Sequence, residues 1–142
     1  MLKKEQLQEY IRAILPEIRE VRRTLHTMPE LAGSEKQTRA YLKTKTDALQ
    51  PIYWQPKLGT DLIFEIPGRD PGKVIGLRSD MDGLPITEKN TFSHASAAPG
   101  RMHACGHDGH MSILLAAAMT AKRFQESLPA TVRFIFQPGE EV

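Results

Sequence analysis

A single cysteine, Cys105, is all the thiol chemistry in a chain of 142 residues. An intrachain disulfide framework is excluded, and the composition fits a reducing compartment. Long apolar runs are missing as well: none approaches the ~20 residues that a membrane-spanning helix needs. Nor is there an excess of charge of one sign. The 19 Lys+Arg stand against 17 Asp+Glu for a formal net charge of +2. The pI is near 8.8, yet no basic stripe stands apart from the acids, so a nucleic-acid partner is not expected. Met1 to Gln6 leads into a charged amphipathic stretch without a secretory-signal pattern. With no repeat, low-complexity tract or linker and a 40% hydrophobic fraction, the expectation is one soluble, cytoplasmic domain that does not touch a membrane.

What the sequence does have is concentrated. Of five histidines, four (His94, His103, His107 and His110) fall within residues 94–110, and Cys105 sits among them.

Leu7, Ile11, Ile14, Ile18, Val21 and Leu25 recur at helical steps and predict one buried stripe, with a kink or a fresh start at Pro16. Ser34 and Gln37 form a capping-box pattern that opens a second helix through about Leu49. Strands are expected at 52–55, 61–66, 73–79 and 130–137, a loop at 86–104, and a helix from Asp108 to about Gln125. Strand, helix, strand in that order is a βαβ unit with a parallel pair. Its crossover brings Asp80/Asp82, Cys105/His107/Asp108/His110 and Glu140/Glu141 to the carboxyl edge, where open α/β sheets place their sites.

Cys105 and His107 are two residues apart and in extended chain point the same way, so both can reach one metal ion or a pair. Asp108 and His110 are candidates for supporting or substrate contacts; a buried cysteine and a helix-capping aspartate are the bland alternative. Glu140 and Glu141 are adjacent, so their side chains diverge. One can ligate a metal while the other takes a proton from water, the division of labour in metal-assisted hydrolysis. Asp80 or Asp82 could orient a ligating imidazole; for Asp82 a turn-initiating role is equally open. His26 and Glu30 sit at a corner, as caps or at a pocket rim. His103 lies near the cluster without a clear role, and His94 is expected on the surface.

Four motifs now line up: His26 with Pro29, Glu30 and Leu31; Gly76 to Pro85; Met102 to His110; and Phe136 to Glu141. Together they closely resemble the metal-dependent N-acyl-amino-acid amidohydrolases, which include hippurate hydrolases and indole-acetyl-amino-acid hydrolases, within the aminoacylase/carboxypeptidase metallopeptidase superfamily. Gly139 departs mildly from the alanine usual there.

The resemblance implies a three-layer α/β/α metallopeptidase-type domain with a mostly parallel central sheet. It implies two divalent ions (zinc, manganese or cobalt), Cys105 as bridging thiolate, His107 and Glu141 as ligands, Glu140 as general base and acid, and Asp80 as the carboxylate shaping the site. Family members are much longer. Residues 1–142 are therefore expected to be the N-terminal part of the catalytic domain, without the lid/dimerisation domain and the later histidine ligands, and with Glu141 frayed. The implied activity is amide hydrolysis of N-acyl amino acids or short peptides, with a homodimer or homotetramer for the full-length form. The alternative is a catalytically inactive metal-binding or interaction fragment. A structural zinc domain is disfavoured, because closed sites use four Cys/His ligands.

Overall fold

The structure, a computed structural model, describes residues 2–142. In chain order it runs α1 (Lys4–Thr27), α2 (Lys36–Asp47), β1 (Ile52–Tyr53), β2 (Leu62–Ile66), β3 (Asp70–Asp80), α3 (His107–Arg123), a short 3-10 turn (Gln125–Ser127) and β4 (Ala130–Gln137).

The stripe on α1 is buried from Ile14 onward, whereas Ile11 is exposed. Pro16 neither ends nor restarts the helix. Its position faces solvent, where water can serve the carbonyl left without an N–H partner. α2 begins at Lys36, but the Ser34/Gln37 capping box does not form. The buried Glu30 carboxylate accepts the amides of Gln37 at 3.2 Å and Thr38 at 2.8 Å instead. A carboxylate on the first-turn amides satisfies the same orphan donors and suits the helix dipole.

The strand order is β1-β2-β4-β3. β3 and β4 pair in parallel across α3, with Asp80 beside Gln137, as the βαβ reading requires. β1–β2 and β2–β4 are antiparallel. The α/β class holds, but the sheet in this chain is mixed rather than mostly parallel. Residues from α1, α2 and α3 share a single core with one face of the sheet, the part of the expected α/β/α arrangement that this chain carries. That face carries Phe64, Phe134 and Phe136, with Phe64 and Phe134 stacked 5.2 Å apart. Removing a ring buried this completely costs ~3–5 kcal/mol. The opposite face is half-buried and mixed: Ile63 lies beside Ile135, and Arg133 pairs with Glu65 at 2.6 Å and lies over Trp54 at 4.2 Å.

β4 lies inside the sheet, flanked by β2 and β3. The edges are the two-residue β1 and the longer β3, where Val74, Ile75 and Leu77 are exposed. No helix among the described residues is long and apolar enough to cross a membrane.

Candidate metal centre

The carboxyl ends of β3 and β4 and the start of α3 meet at one edge, and two loop contacts fix what lies between them. Gly83 donates to the Glu30 carbonyl at 2.7 Å. A Cβ at Gly83 would sit 2.9 Å from Pro29 Cβ, so this approach requires glycine. Leu84 and Met102 exchange backbone hydrogen bonds at 2.9 and 3.0 Å. The segment carrying Asp82 is thereby pinned against the segment leading to Cys105. Gly106 then turns the chain into α3 at φ +88°, a left-handed conformation that favours glycine, and His107 is the first helical residue.

Cys105, His107 and Glu141 each offer one ligand atom, and these atoms lie within 4.8 Å of one another. His107 is buried, and its Nδ1 donates to the Asp82 carbonyl at 2.9 Å. A carbonyl can only accept, so the proton belongs to Nδ1 and the Nε2 lone pair stays available. Nε2 lies 3.9 Å from Glu140 Oε2 and 3.9 Å from Glu141 Oε1, beyond hydrogen-bond reach. Glu141 Oε1 is buried without a hydrogen-bond partner. A lone pair and an orphaned carboxylate oxygen facing an exposed thiol are donors of the type a divalent ion takes, so the residues fit one. The neighbouring Glu141 carboxylate, then burial and the charges of Glu141, Glu140 and Asp82, push the Cys105 thiol above its ordinary pKa. The same acids that disfavour a thiolate favour a cation.

Of the sequence-based site residues, Cys105, His107, Glu140 and Glu141 come together. Asp80 does not join them: its carboxylate is taken by Arg78, two residues back on β3. The carboxylate in contact with the cluster is Asp82, 1% exposed, whose Oδ2 accepts the Glu141 amide at 2.9 Å. That hydrogen bond ties down a segment expected to fray. An Asp-x-Asp pair at a strand end points its two side chains the same way, so spacing alone does not choose between them.

Asp108 turns away from the cluster. Its Oδ2 receives His26 Nδ1 at 2.9 Å and Arg22 Nε at 3.3 Å, while His26 Nε2 meets Glu88 at 3.1 Å. His26 thus bridges α1, α3 and the 86–104 loop, beside a cleft of about 380 Å³ that Arg19, Arg23 and His94 also line. His103 is buried, and neither ring nitrogen has a partner. Burial, with the nearby His26 and His107, pushes its pKa down to about 4. His110 is exposed, its ring 5.8 Å from that of His107. His94 is partly covered, stacked on Phe92 at 4.2 Å.

Residues 76–142 match the model of Peptidase family M20/M25/M40. Over 139 residues the chain is 35% identical to the N-acyl-L-amino acid amidohydrolase of Geobacillus stearothermophilus, covering 98% of this chain and 38% of that one. It is 43% identical over 123 residues to the N-acetylcysteine deacetylase of Bacillus subtilis, covering 86% of this chain and 32% of the relative. The solved YXEP protein of Bacillus subtilis is described as a dinuclear metal binding peptidase from the M20 family. It superposes with a TM-score of 0.88 at 40% identity, over 92% of this chain and 37% of its own. The chain spans about a third of the length of these relatives.

Proposed function

From the match of residues 76–142 to the model of Peptidase family M20/M25/M40, we propose that the protein is a member of that family and hydrolyses the amide bond of N-acyl amino acids using two divalent ions. The observation that carries the reading is the gathering of Cys105, His107 and Glu141 ligand atoms within 4.8 Å, with Glu140 alongside. The names of the relatives, an amidohydrolase and a deacetylase, support the same reaction class.

Cys105, His107 and Glu141 would hold metal, through a thiolate, an imidazole nitrogen and a carboxylate. A thiolate with an imidazole suits zinc, and the carboxylates also suit manganese or cobalt. When bound, such ions supply Lewis acidity to the substrate carbonyl and acidify an attacking water. The chain's own residues do the rest. Asp82 fixes the His107 tautomer through its carbonyl and the Glu141 backbone through its side chain. The Glu140 side chain is 43% exposed, so its carboxylate is free to accept a proton from the attacking water and pass it to the leaving nitrogen. Asp80 is paired with Arg78, so the site-shaping carboxylate in this reading is Asp82.

The substrate proposed is a small N-acyl amino acid or short peptide, and the assembly proposed is a homodimer or homotetramer. A second reading, a metal-binding fragment without turnover, draws support from the ligand count. Three ligands are few for two ions, whose mutual repulsion needs more compensation. The test is metal-dependent amine release from hippurate and N-acetyl amino acids by a version extended to the span of the relatives. Turnover that Glu140→Gln abolishes supports hydrolysis; metal uptake without turnover supports the second reading.

A further inference from the structure

Glu35 is fully buried at the start of α2, yet its side chain does not cap that helix. The capping is done by Glu30, which leaves the Glu35 carboxylate free to point elsewhere. Its Oε1 accepts the Gly33 amide at 3.0 Å and the Gly139 amide at 3.0 Å. Its Oε2 accepts the Thr60 hydroxyl at 2.9 Å. No cation pairs with it among the described residues. Burying a carboxylate without a counter-charge is costly unless hydrogen bonds satisfy it. All three donors come from loops, so this carboxylate ties loops to one another.

One of those loops carries the proposed chemistry. Gly139 sits at φ +70° between the end of β4 and Glu140. Its amide is held by Glu35, and the amide of Glu141 is held by Asp82 at 2.9 Å. The two acids therefore grip the backbone on either side of Glu140. With both amides fixed, the direction in which the Glu140 and Glu141 side chains leave the backbone is set.

We propose that Glu35 is a positioning residue for the Glu140–Glu141 pair, acting through the Gly139 amide. The proposal deepens the metal-hydrolase reading and rests on it for the roles of Glu140 and Glu141. The contact itself stands without a metal, since both partners lie within residues 1–142.

The substitutions can be ordered by chemistry. Glu35→Gln keeps one oxygen for the two amides and can turn its NH₂ to the Thr60 hydroxyl, which can accept. Glu35→Ala removes all three bonds. Thr60→Val removes the Thr60 bond and leaves Gly139 bound.

The experiment is amide hydrogen exchange on residues 1–142, paired with a cobalt(II) titration followed by thiolate-to-cobalt absorption. Glu35→Ala is expected to speed exchange at Gly139 by about tenfold, as for one lost hydrogen bond, with the core amides of α3 unchanged. It is expected to weaken cobalt affinity by ~10-fold or more, as when a group that orients a ligand is removed. Glu35→Gln and Thr60→Val should stay close to wild type in both. Should Glu35→Ala not fold, Glu35→Asp, one methylene shorter, takes its place with the same expectation. Unchanged Gly139 exchange in Glu35→Ala would overturn the proposal, and so would equal loosening in Thr60→Val. A wild-type chain showing no cobalt–thiolate absorption would instead defeat the metal reading, while the exchange comparison still decides the role of Glu35.

Discussion

The backbone carbonyl of Asp82 accepts the Nδ1 proton of His107 at 2.9 Å, which leaves Nε2 as the only lone pair on that ring. The tautomer a metal ligand needs is thus set by a residue 25 positions earlier. The Asp82 carboxylate, through the Glu141 amide, also steadies a second ligand.

Asp82 and Asp80 should therefore behave differently. Asp82→Ala is expected to cut zinc affinity by ~10- to 100-fold, the usual loss when a group orienting metal ligands is removed. Asp80→Asn should leave it near wild type, since Asp80 is occupied with Arg78. Isothermal titration with zinc compares the two; equal losses would return Asp80 to the site.

The two glutamates separate by a different pair of readouts. In a version extended to the span of the relatives, Glu140→Gln is expected to bind metal normally and lose turnover by ~100-fold or more, as when a general base is deleted. Glu141→Gln is expected to lose metal as well. Metal loss at Glu140 with normal binding at Glu141 would reverse the assignment.

How much of this could be read from sequence depends on range. The βαβ unit and the convergence of Cys105, His107, Glu140 and Glu141 were legible because strand–helix–strand order dictates a shared edge. Asp82 was not separable from Asp80 because i and i+2 spacing treats them alike, and what distinguishes them is tertiary: Asp80 pairs with Arg78, while Asp82 is buried against His107 and Glu141. Glu35 carried no signal at all. Its donors come from residues 33, 60 and 139, and no periodicity links them. Pro16 shows the opposite error: a strong local signal that a solvent-facing position made harmless.

His26 makes stability depend on pH. Burial alone would lower its pKa, but hydrogen bonds and charge from Glu88 and Asp108 outweigh that and raise it above 6.5. Burial likewise opposes ionisation of Glu88, but its bonds to Asn90, Ser96 and His26 prevail and hold it at about 2. A raised histidine contributes fully below pH 6.5 and loses its contribution as pH rises through the folded value. A lowered glutamate contributes above pH 4.5 and loses it as pH falls toward about 2. The stability gap between wild type and His26→Gln should therefore be largest between pH 4.5 and 6.5 and shrink at pH 8. Urea midpoints at pH 5.5 and 8 measure it; a gap that widened at pH 8 would contradict the bridge.

Residues 1–142 alone are expected to release no amine from N-acyl amino acids above the Glu140→Gln background, whether zinc, manganese or cobalt is added. The three gathered ligands can hold one ion weakly but not a fixed pair. Amine detection over long incubation is the assay. Metal-dependent turnover would show that these residues suffice.

The central claim, that Cys105, His107 and Glu141 form one metal centre, is tested most directly by zinc content after equilibrium dialysis, read by elemental analysis. The wild-type chain is expected to retain zinc, and Cys105→Ala and His107→Ala are each expected to lose most of it while keeping their helical content. Zinc retained at the wild-type level in both variants would contradict the account.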